Sequence, residues 1–329
     1  MNMNRRSMLK MLSLIPFMVK NPEVLAQAIK NPALGQTTLY GPPAMPTLLL
    51  GVVQKYGDLK DKYEIEAEIW RTVDVLRAGI VNQSINLSIV PSYVAANFSN
   101  RGIPVKLINI MTFGLVQIVG RGGNLNNLSE IEGKKLVIPF KNDMPDLIFQ
   151  ALCSKLNIDL NSIEITYTST PPEAMSLFLK EIVDFAILPE PLASMATVKG
   201  GSDVSRVLDI NKLWTQTMGV SGGIPQAGLM VTESFYKSYP EFVNTLQSDI
   251  EKAVIWAQSE DHKSEAISIG SSLLKIPSPA IKRALPYANL VAIKAETISK
   301  DIMVFFEELY KLNPKILGGQ MPSESLFSI

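Results

Sequence analysis

The stretch Ile182 to Ala196 reads I-V-D-F-A-I-L-P-E-P-L-A-S-M-A. Its first part, Ile182 to Leu188, is a short apolar run rich in β-branched and aromatic residues, which predicts a buried parallel strand. Pro189 ends that strand, and Pro191 suits the first turn of a helix because the N–H that it lacks would be unpaired there. The stretch therefore predicts a helix start at the carboxyl end of a strand. Ligands of open α/β sheets bind at that place, and a helix start favours anionic groups.

The same pattern occurs once earlier in the chain. Leu87 to Ala96 reads L-S-I-V-P-S-Y-V-A-A, again a short strand, a proline and an apolar helix. Each copy follows a predicted amphipathic helix, Val73 to Val81 in one case and Ala174 to Lys180 in the other. Two such units suggest two similar lobes that hold a small molecule between helix starts. Proline-ended strands are also common in α/β proteins, so this repetition alone leaves an ordinary α/β fold open.

Length and composition limit the function. The chain has 329 residues, enough for about two domains of roughly 150 residues each. Hydrophobic residues make up 47% and the formal net charge is zero. A balanced charge without basic clusters argues against nucleic-acid binding, which requires a basic surface. No apolar run after residue 30 approaches the ~20 residues of a membrane span.

The amino terminus has the pattern of an export signal. Arg5 and Arg6 precede a mostly apolar run from Met8 to Val19, and Ala26-Gln27-Ala28 follows as an A-x-A cleavage site. We therefore predict that residues 1–28 are a signal peptide and that the mature protein is periplasmic. The segment N-R-R-S-M-L-K is similar to the twin-arginine export motif, and ordinary export remains the alternative.

Strand and helix patterns alternate from Thr37 to Thr232, and the remainder is predicted to be helical. Such alternation predicts an α/β fold with mainly parallel sheets flanked by helices, because parallel strands need helical crossovers.

The side chains that carry most catalysis are scarce. The only histidine, His262, lies in the charged segment S-E-D-H-K-S-E and is predicted to be solvated on a helix surface. A zinc site with two histidines is impossible, and a serine triad would have to use His262. The only cysteine, Cys153, lies among Ala151, Leu152 and Leu156 and is predicted to fill the core. We expect no catalytic residues, metal or cofactor, and therefore a binding protein rather than an enzyme.

Four segments carry a resemblance to a known family. The chain has L-S-E-I-E-G-K-K-L-V-I-P from Leu128, V-D-F-A with P-E-P from Val183, R-G-I-P-V-K from Arg101 and S-F-Y-K-S-Y-P-E from Ser234. They resemble L-x-D-L-K-G-K-K-I-A-V, G-x-V-D-A with W-E-P, G-x-P-V-K and F-x-x-x-x-P-E of the periplasmic solute-binding proteins of ABC transporters, in the class that takes sulfonates, nitrate, taurine or thiamine precursors.

The resemblance implies a two-lobed type II binding-protein fold. Residues 36–114 and 228–329 would form lobe 1, and residues 115–227 would form lobe 2. The chain would cross between the lobes near Thr112 to Leu115 and near Gln226 to Leu229, and closure would be hinge bending there. The implied partners are a small-molecule ligand, anionic or heteroaromatic, and an ABC transporter permease. The protein would be a monomer that binds no nucleic acid.

The chain departs from the family pattern at three places. Phe140 to Met144 stands where the family often has G-S-x-x-H, the loop Gly41 to Pro46 lacks the hydroxyl residues usual in oxyanion binders, and Pro189 replaces the tryptophan of W-E-P. These departures argue against a sulfonate ligand. By position in the family fold, the residues expected to line the cleft are Pro43, Ala44, Met45, Pro91, Ser92, Thr112, Phe113, Asn142, Asp143, Glu190 and Gly222.

Two alternatives remain on the same fold. One is an enzyme, such as a pyrimidine-precursor synthase or a menaquinone-pathway lyase. The other is the ligand-sensing subunit of a membrane receptor. The predicted export signal and the poor catalytic inventory argue against the enzyme.

Overall fold

The computed structural model describes residues 34–328, so the predicted signal peptide lies outside the described residues. Among residues 34–328, no helix combines the length and hydropathy needed to cross a bilayer. Within these described residues, twelve strands form two separate sheets. The strands are β1 (Gln36–Gly41), β2 (Glu64–Ile69), β3 (Leu87–Pro91), β4 (Val105–Leu107), β5 (Asn109–Phe113), β6 (Val116–Arg121), β7 (Lys135–Pro139), β8 (Glu164–Thr168), β9 (Phe185–Pro189), β10 (Val204–Leu208), β11 (Pro225–Thr232) and β12 (Leu290–Lys294).

Helices cover both sheets. They are α1 (Thr47–Tyr56), α2 (Leu59–Lys62), α3 (Val73–Val81), α4 (Ser92–Asn100), α5 (Met144–Leu156), α6 (Pro171–Leu179), α7 (Leu192–Gly200), α8 (Ile210–Met218), α9 (Glu233–Ser238), α10 (Pro240–Gln258), α11 (Lys263–Leu274), α12 (Ser278–Ala284) and α13 (Ser299–Leu312). The larger sheet has the order β12-β5-β11-β3-β1-β2, with β4 paired to β11, and the smaller has the order β10-β6-β9-β7-β8. The predicted two-lobed α/β class is confirmed. We call the sheets with their helices the larger-sheet lobe and the smaller-sheet lobe.

The sheets are mixed, which corrects the expectation that they are mainly parallel. In the larger sheet β1 is parallel to β2 and β3, whereas β11 is antiparallel to β3, β4 and β5, and β12 is antiparallel to β5. In the smaller sheet β7 is parallel to β8 and β9, whereas β6 is antiparallel to β9 and β10. The chain passes from β5 in one sheet into β6 in the other without a helix, so the βαβ geometry that enforces parallel pairing does not apply there.

Both strand–proline–helix units form as predicted. Strand β3 ends at Pro91 and α4 begins at once, while β9 ends at Pro189 and α7 begins at Leu192. Strand β9 is shorter than the apolar run Ile182 to Leu188, because Ile182 lies outside the strand and is 52% exposed. Strand β9 pairs in parallel with β7 on one side and antiparallel with β6 on the other. The units therefore place one helix start at the carboxyl end of a strand in each lobe.

Three elements were not predicted: the short helix α2, helix α8 and strand β12. Helix α8 has apolar residues at helical spacing, and two of them, Ile210 and Trp214, are buried. Strand β12 is a short apolar edge strand within the region expected to be helical, and most of its side chains are half-exposed.

The apolar core continues from one lobe to the other. One cluster of buried side chains includes Ile110 of the larger sheet and Ile118 of the smaller sheet. Helix α13 contributes Phe305, whose ring lies 5.7 Å edge-to-face from the ring of Trp214 on α8. Apolar contacts therefore join the lobes beside the connections of the chain.

Candidate functional site

Two chain segments connect the lobes, and they are hydrogen bonded to each other. The first is Gly114–Leu115, between β5 and β6, and the second is residues 219–224, between α8 and β11. The Gly114 N–H donates to the Ile224 carbonyl at 2.9 Å, and the Leu115 N–H donates to the Gln226 side chain. The return crossing lies earlier than the expected Gln226 to Leu229, because β11 pairs within the larger sheet from Pro225 onward.

Asn211 fills the space between these two connections. Its Oδ1 accepts the Ile224 N–H at 2.9 Å. A Cβ atom at Gly114 would lie 2.3 Å from Asn211, and one at Gly223 would lie 2.2 Å from it. Both glycines have positive φ, at 61° and 96°. The connections therefore need glycine for backbone conformation and for space.

The starts of α4 and α5 meet across the gap between the lobes. The Tyr93 hydroxyl of α4 donates to the Asp143 carboxylate at the start of α5, with an oxygen–oxygen distance of 2.7 Å. Beside them, Asn313 Nδ2 donates to the Asn142 carbonyl at 3.0 Å. Burial, together with the neighbouring Asp143 carboxylate, raises the pKa of Tyr93 well above its ordinary value. Tyr93 therefore stays protonated and acts as a donor at neutral pH.

The helix starts of the smaller-sheet lobe are capped by their own carboxylates. Helices α5, α6 and α7 follow β7, β8 and β9, whose parallel pairing places their carboxyl ends at one edge of the sheet. Asp143 accepts the first amide of α5 at 2.6 Å, and the fully buried Asp146 accepts the Asn142 N–H at 2.8 Å. Glu173 accepts the Thr170 N–H at 3.2 Å. These carboxylates therefore occupy some of the N–H groups at or just before the helix starts.

Helix α7 begins beside a buried ion pair. Glu190 is 0% exposed, accepts the Ser194 N–H at 3.1 Å and accepts two hydrogen bonds from the Arg206 guanidinium, one of them from Nε at 2.8 Å. Burial raises the pKa of Glu190, and the guanidinium and Ser194 partly oppose that rise. Arg206 thus compensates a carboxylate that would otherwise be costly to keep ionised there.

Arg206 also connects the two lobes. Its guanidinium carbon lies 3.6 Å from the ring centroid of Tyr287, in the turn after α12 of the larger-sheet lobe. Nearby, Arg283 of α12 donates from Nη1 to Thr197 Oγ1 of α7 at 3.1 Å. These two contacts lie beside a cavity of about 920 Å³ lined by β10, α8 and the segment 124–128.

Four of the eleven predicted cleft residues lie at the meeting helix starts: Pro91, Ser92, Asn142 and Asp143. The Ser92 hydroxyl is buried and donates to the Pro225 carbonyl at 2.6 Å, so it ties α4 to the start of β11. Asn142 is exposed and has a positive φ of 60°. The contact of these residues with a solute stays a prediction.

Three others lie in or beside the connections. The buried Thr112 hydroxyl donates to the Ala288 carbonyl at 2.6 Å. A Cβ at Gly222 would lie 2.8 Å from the Phe113 ring, so these two residues pack against each other. Glu190, the eighth, is fully engaged in the ion pair.

The remaining three are in the turn between β1 and α1. Pro43 is exposed, Ala44 is half-buried, and Met45 is 0% exposed within the core of the larger-sheet lobe. The Thr47 hydroxyl donates to the Pro42 carbonyl at 2.6 Å and closes the turn. The cavity of about 920 Å³ contains none of the eleven residues.

Sequence reasoning missed Tyr93, Arg206, Arg283 and Tyr287. Tyr93 follows the two residues that were named in P-S-Y, and its hydroxyl rather than the serine spans the gap. Arg206 offered a signal, because it is a charged residue inside the apolar strand V-S-R-V-L. Arg283 and Tyr287 lie in the carboxyl-terminal region, which the sequence predicts to be helical.

The predicted roles of the histidine and the cysteine agree with the structure. His262 is exposed and stacks on Trp256, with ring centroids 4.8 Å apart. Cys153 is fully buried on α5, and burial raises the pKa of its thiol to about 12. A thiol in that state is a poor nucleophile.

Several solved structures have a fold similar to that of this chain. The sequence matches no family model and no curated protein. An ABC transporter from Parabacteroides distasonis has a similar structure, with a TM-score of 0.73 and 18% identity over 89% of this chain and 98% of that one. The periplasmic aliphatic sulphonate-binding protein SsuA from Escherichia coli gives a TM-score of 0.69 and 13% identity over 89% of this chain and 91% of that one.

A third similar structure is the alkanesulfonate-binding protein SsuA from Xanthomonas axonopodis bound to MOPS. It gives a TM-score of 0.63 and 15% identity over 89% of this chain and 96% of that one. This chain has their two-lobed fold. At such low identity the likeness shows the fold and leaves the ligand open.

Proposed function

We propose that the chain is the substrate-binding protein of an ABC importer, which holds a small molecule between its lobes and passes it to a permease. The lobes would have limits within a few residues of 36–114 with 228–329, and of 115–227. The fold shared with the ABC transporter protein of Parabacteroides distasonis and with the two sulfonate binders supports this proposal. Closure would bend the segments on either side of Asn211.

The observation that carries the proposal is the hydrogen bond from Tyr93 to Asp143. A donor and an acceptor from opposite lobes meet at two helix starts, where solutes of α/β folds bind. In this structure each group pairs with the other. A solute that offers its own donor and acceptor replaces that bond and links the lobes through itself.

The chemistry of this gap favours a neutral or cationic solute over an oxyanion. Asp143, Glu173 and Glu190 each accept an N–H at or just before the start of α5, α6 or α7. Among residues 34–328, Asp143 and Asp146 have no basic side chain within salt-bridge distance. An anion would meet uncompensated carboxylates, whereas a heteroaromatic N–H or an amine would find acceptors. The solute class would thus differ from that of the sulfonate binders.

Transport function would place the mature chain in the periplasm, after removal of residues 1–28 by the twin-arginine or the ordinary export route. Its partner would be a membrane permease. The exposed His262 and the buried, protonated Cys153 support a binder rather than an enzyme.

Native mass spectrometry of the mature chain, purified without unfolding, tests the proposal. We expect one small molecule to be bound to each chain and to raise the unfolding temperature when it is added back. Asp143→Asn should release it. The matched control is Asp159→Asn, because Asp159 also caps a helical turn but lies on the exposed surface. Absence of any bound or stabilising compound, or unchanged binding by Asp143→Asn, would contradict the proposal.

A further inference from the structure

A continuous groove runs along the line where α7 and α12 meet. One cavity of about 920 Å³ and a neighbouring one of about 900 Å³ share Thr197, Val204 and Arg283 in their walls. The Arg283–Thr197 hydrogen bond lies where the two cavities join. We call this feature the seam groove. It contains none of the residues at the meeting starts of α4 and α5.

The seam groove is positively charged. Four basic side chains line its walls, whereas a single carboxylate, that of Asp209, does so; the basic residues are Arg206, Lys212, Lys282 and Arg283. Asp209 already accepts the Lys212 N–H at 2.9 Å as the cap of α8. Among residues 34–328, Arg206 is the one member of the four that has a carboxylate within salt-bridge distance. The remaining three are uncompensated, so the groove attracts anions.

Many guanidinium donors in the groove have no partner within the described chain. An arginine carries five N–H donors in a planar fork that suits oxyanions and carboxylates. Among residues 34–328, the single partner of the Arg283 side chain is Thr197. Arg206 bonds through Nε and Nη2, which leaves Nη1 without a protein acceptor in the same residues. Both guanidiniums line the first cavity.

These donors belong to different lobes. Arg283 and Lys282 lie on α12 of the larger-sheet lobe, whereas Arg206 lies on β10 of the smaller-sheet lobe. The ring of Tyr287, in the larger-sheet lobe, stacks on the guanidinium of Arg206, in the smaller-sheet lobe. An anion held by both arginines would therefore connect the lobes, and it would bind more tightly when they are together. By linkage, such an anion favours the closed arrangement.

We propose that the seam groove is a binding site for a small, doubly charged anion, which bridges Arg206 and Arg283 and stabilises the closed arrangement of the lobes. The proposal concerns a site separate from the solute site and stands whether or not the chain serves an importer. The anion belongs to the class of inorganic oxyanions and small dicarboxylates, whose paired oxygens match guanidinium forks.

Isothermal titration calorimetry with sodium sulfate, at ionic strength held constant with sodium chloride, tests the site. We expect one saturable sulfate site in the wild-type chain. Arg283→Gln should weaken sulfate binding about tenfold or more, since it removes a charged donor group worth about 1.4 kcal/mol or more. Lys282→Gln should weaken it less. Arg71→Gln is the matched control, because Arg71 lines a separate cavity of about 870 Å³ and should leave binding unchanged.

Sulfate binding that persists in Arg71→Gln and fails in Arg283→Gln supports the seam groove. Absence of a saturable heat, or equal binding by Arg283→Gln and wild type, would overturn it. Amide hydrogen exchange tests whether the anion bridges the lobes. Sulfate should slow exchange in both α7 and α12 of the wild-type chain, one helix from each lobe. Slowing in one helix alone would contradict a bridge.

Discussion

Tyr93 and Asp143, fifty residues apart in sequence and on opposite lobes, share a hydrogen bond of 2.7 Å. The bond joins the start of α4 to the start of α5, and so joins the carboxyl ends of β3 and β7. It is therefore a direct contact between the two lobes.

Tyr93→Phe removes this bond and leaves both helices in place. We expect the free energy of unfolding to fall by about 2 kcal/mol, because the lost bond has a charged acceptor. Urea denaturation measures the change. Tyr310→Phe is the matched control, since its hydroxyl donates to Gly319 at 3.4 Å on the exposed surface and should change stability by less than about 0.5 kcal/mol. Equal losses of unfolding free energy in the two variants would show that the Tyr93–Asp143 hydrogen bond stabilises the fold no more than a surface hydrogen bond does.

Arg206→Met should make stability depend on pH. Burial already raises the pKa of Glu190, and loss of Arg206 removes the strongest opposing influence. A carboxyl whose pKa is raised in the folded state stabilises the fold below its unfolded pKa, and that stability is lost as pH rises through the folded pKa. The stability deficit of Arg206→Met relative to wild type should therefore widen between about pH 5 and pH 7, by up to about 1.4 kcal/mol per pH unit.

Denaturation at several pH values measures that deficit. The double variant Glu190→Gln with Arg206→Met serves as the control, because it has no carboxyl to titrate at this position. Its deficit should stay constant with pH. A constant deficit in Arg206→Met itself would mean that Glu190 is not the titrating group.

Gly114→Ala tests the packing of the connections around Asn211. Gly122 is a matched control, because its φ of 81° is also positive but a Cβ there would meet nothing within 4 Å. Gly122→Ala should cost about 1 kcal/mol for its backbone conformation. Gly114→Ala should cost about 2 kcal/mol more, since its Cβ would overlap Asn211. Similar losses of unfolding free energy would contradict close packing at the connection.

Cys153 should resist thiol reagents in the native protein. Its side chain is fully buried and its pKa is raised to about 12. At about pH 8 we expect labelling in urea and very slow labelling without it, at a rate set by unfolding. Mass spectrometry after timed labelling measures this. Rapid labelling of the native chain would place the thiol near solvent and contradict the packing of α5.

The sequence predicts those elements whose apolar residues follow a clear period. The sequence pattern predicts helices from Thr47 to Tyr56 and from Met144 to Leu156, and α1 and α5 have these bounds. Helix α8 was missed although its apolar residues also recur at helical spacing, and only Ile210 and Trp214 of them are buried. The directions of the strands were not predicted correctly from the sequence. Strands β6 and β11 enter their sheets directly from a connection between the lobes, and the alternation of strands and helices does not reveal this.

The sequence predicts where the turns before α4 and α5 lie better than it predicts the hydrogen bonds that they make. The turns before α4 and α5 were found from the strand–proline pattern and the family resemblance. The expectation of an anion at a helix start follows from the backbone alone and stays a prediction. The sequence could not show that Asp143, Glu173 and Glu190 would each accept an N–H at or just before a helix start. Contacts between the lobes, such as Arg206 with Tyr287, join residues 81 positions apart and leave no local pattern.

Closure of the lobes around a solute should change the distance between the lobes, and a measurement of that distance is the most direct test. Arg71 and Lys141 are exposed and follow the carboxyl ends of β2 and β7, one in each lobe. Spin labels at Arg71→Cys and Lys141→Cys, with the buried Cys153 left in place, would report their separation by pulsed electron paramagnetic resonance. We expect a broad distance distribution in the stripped protein, in which the lobes exchange between open and closed arrangements, and a narrow one with the solute bound. Identical distributions in both states, with solute binding confirmed, would contradict it.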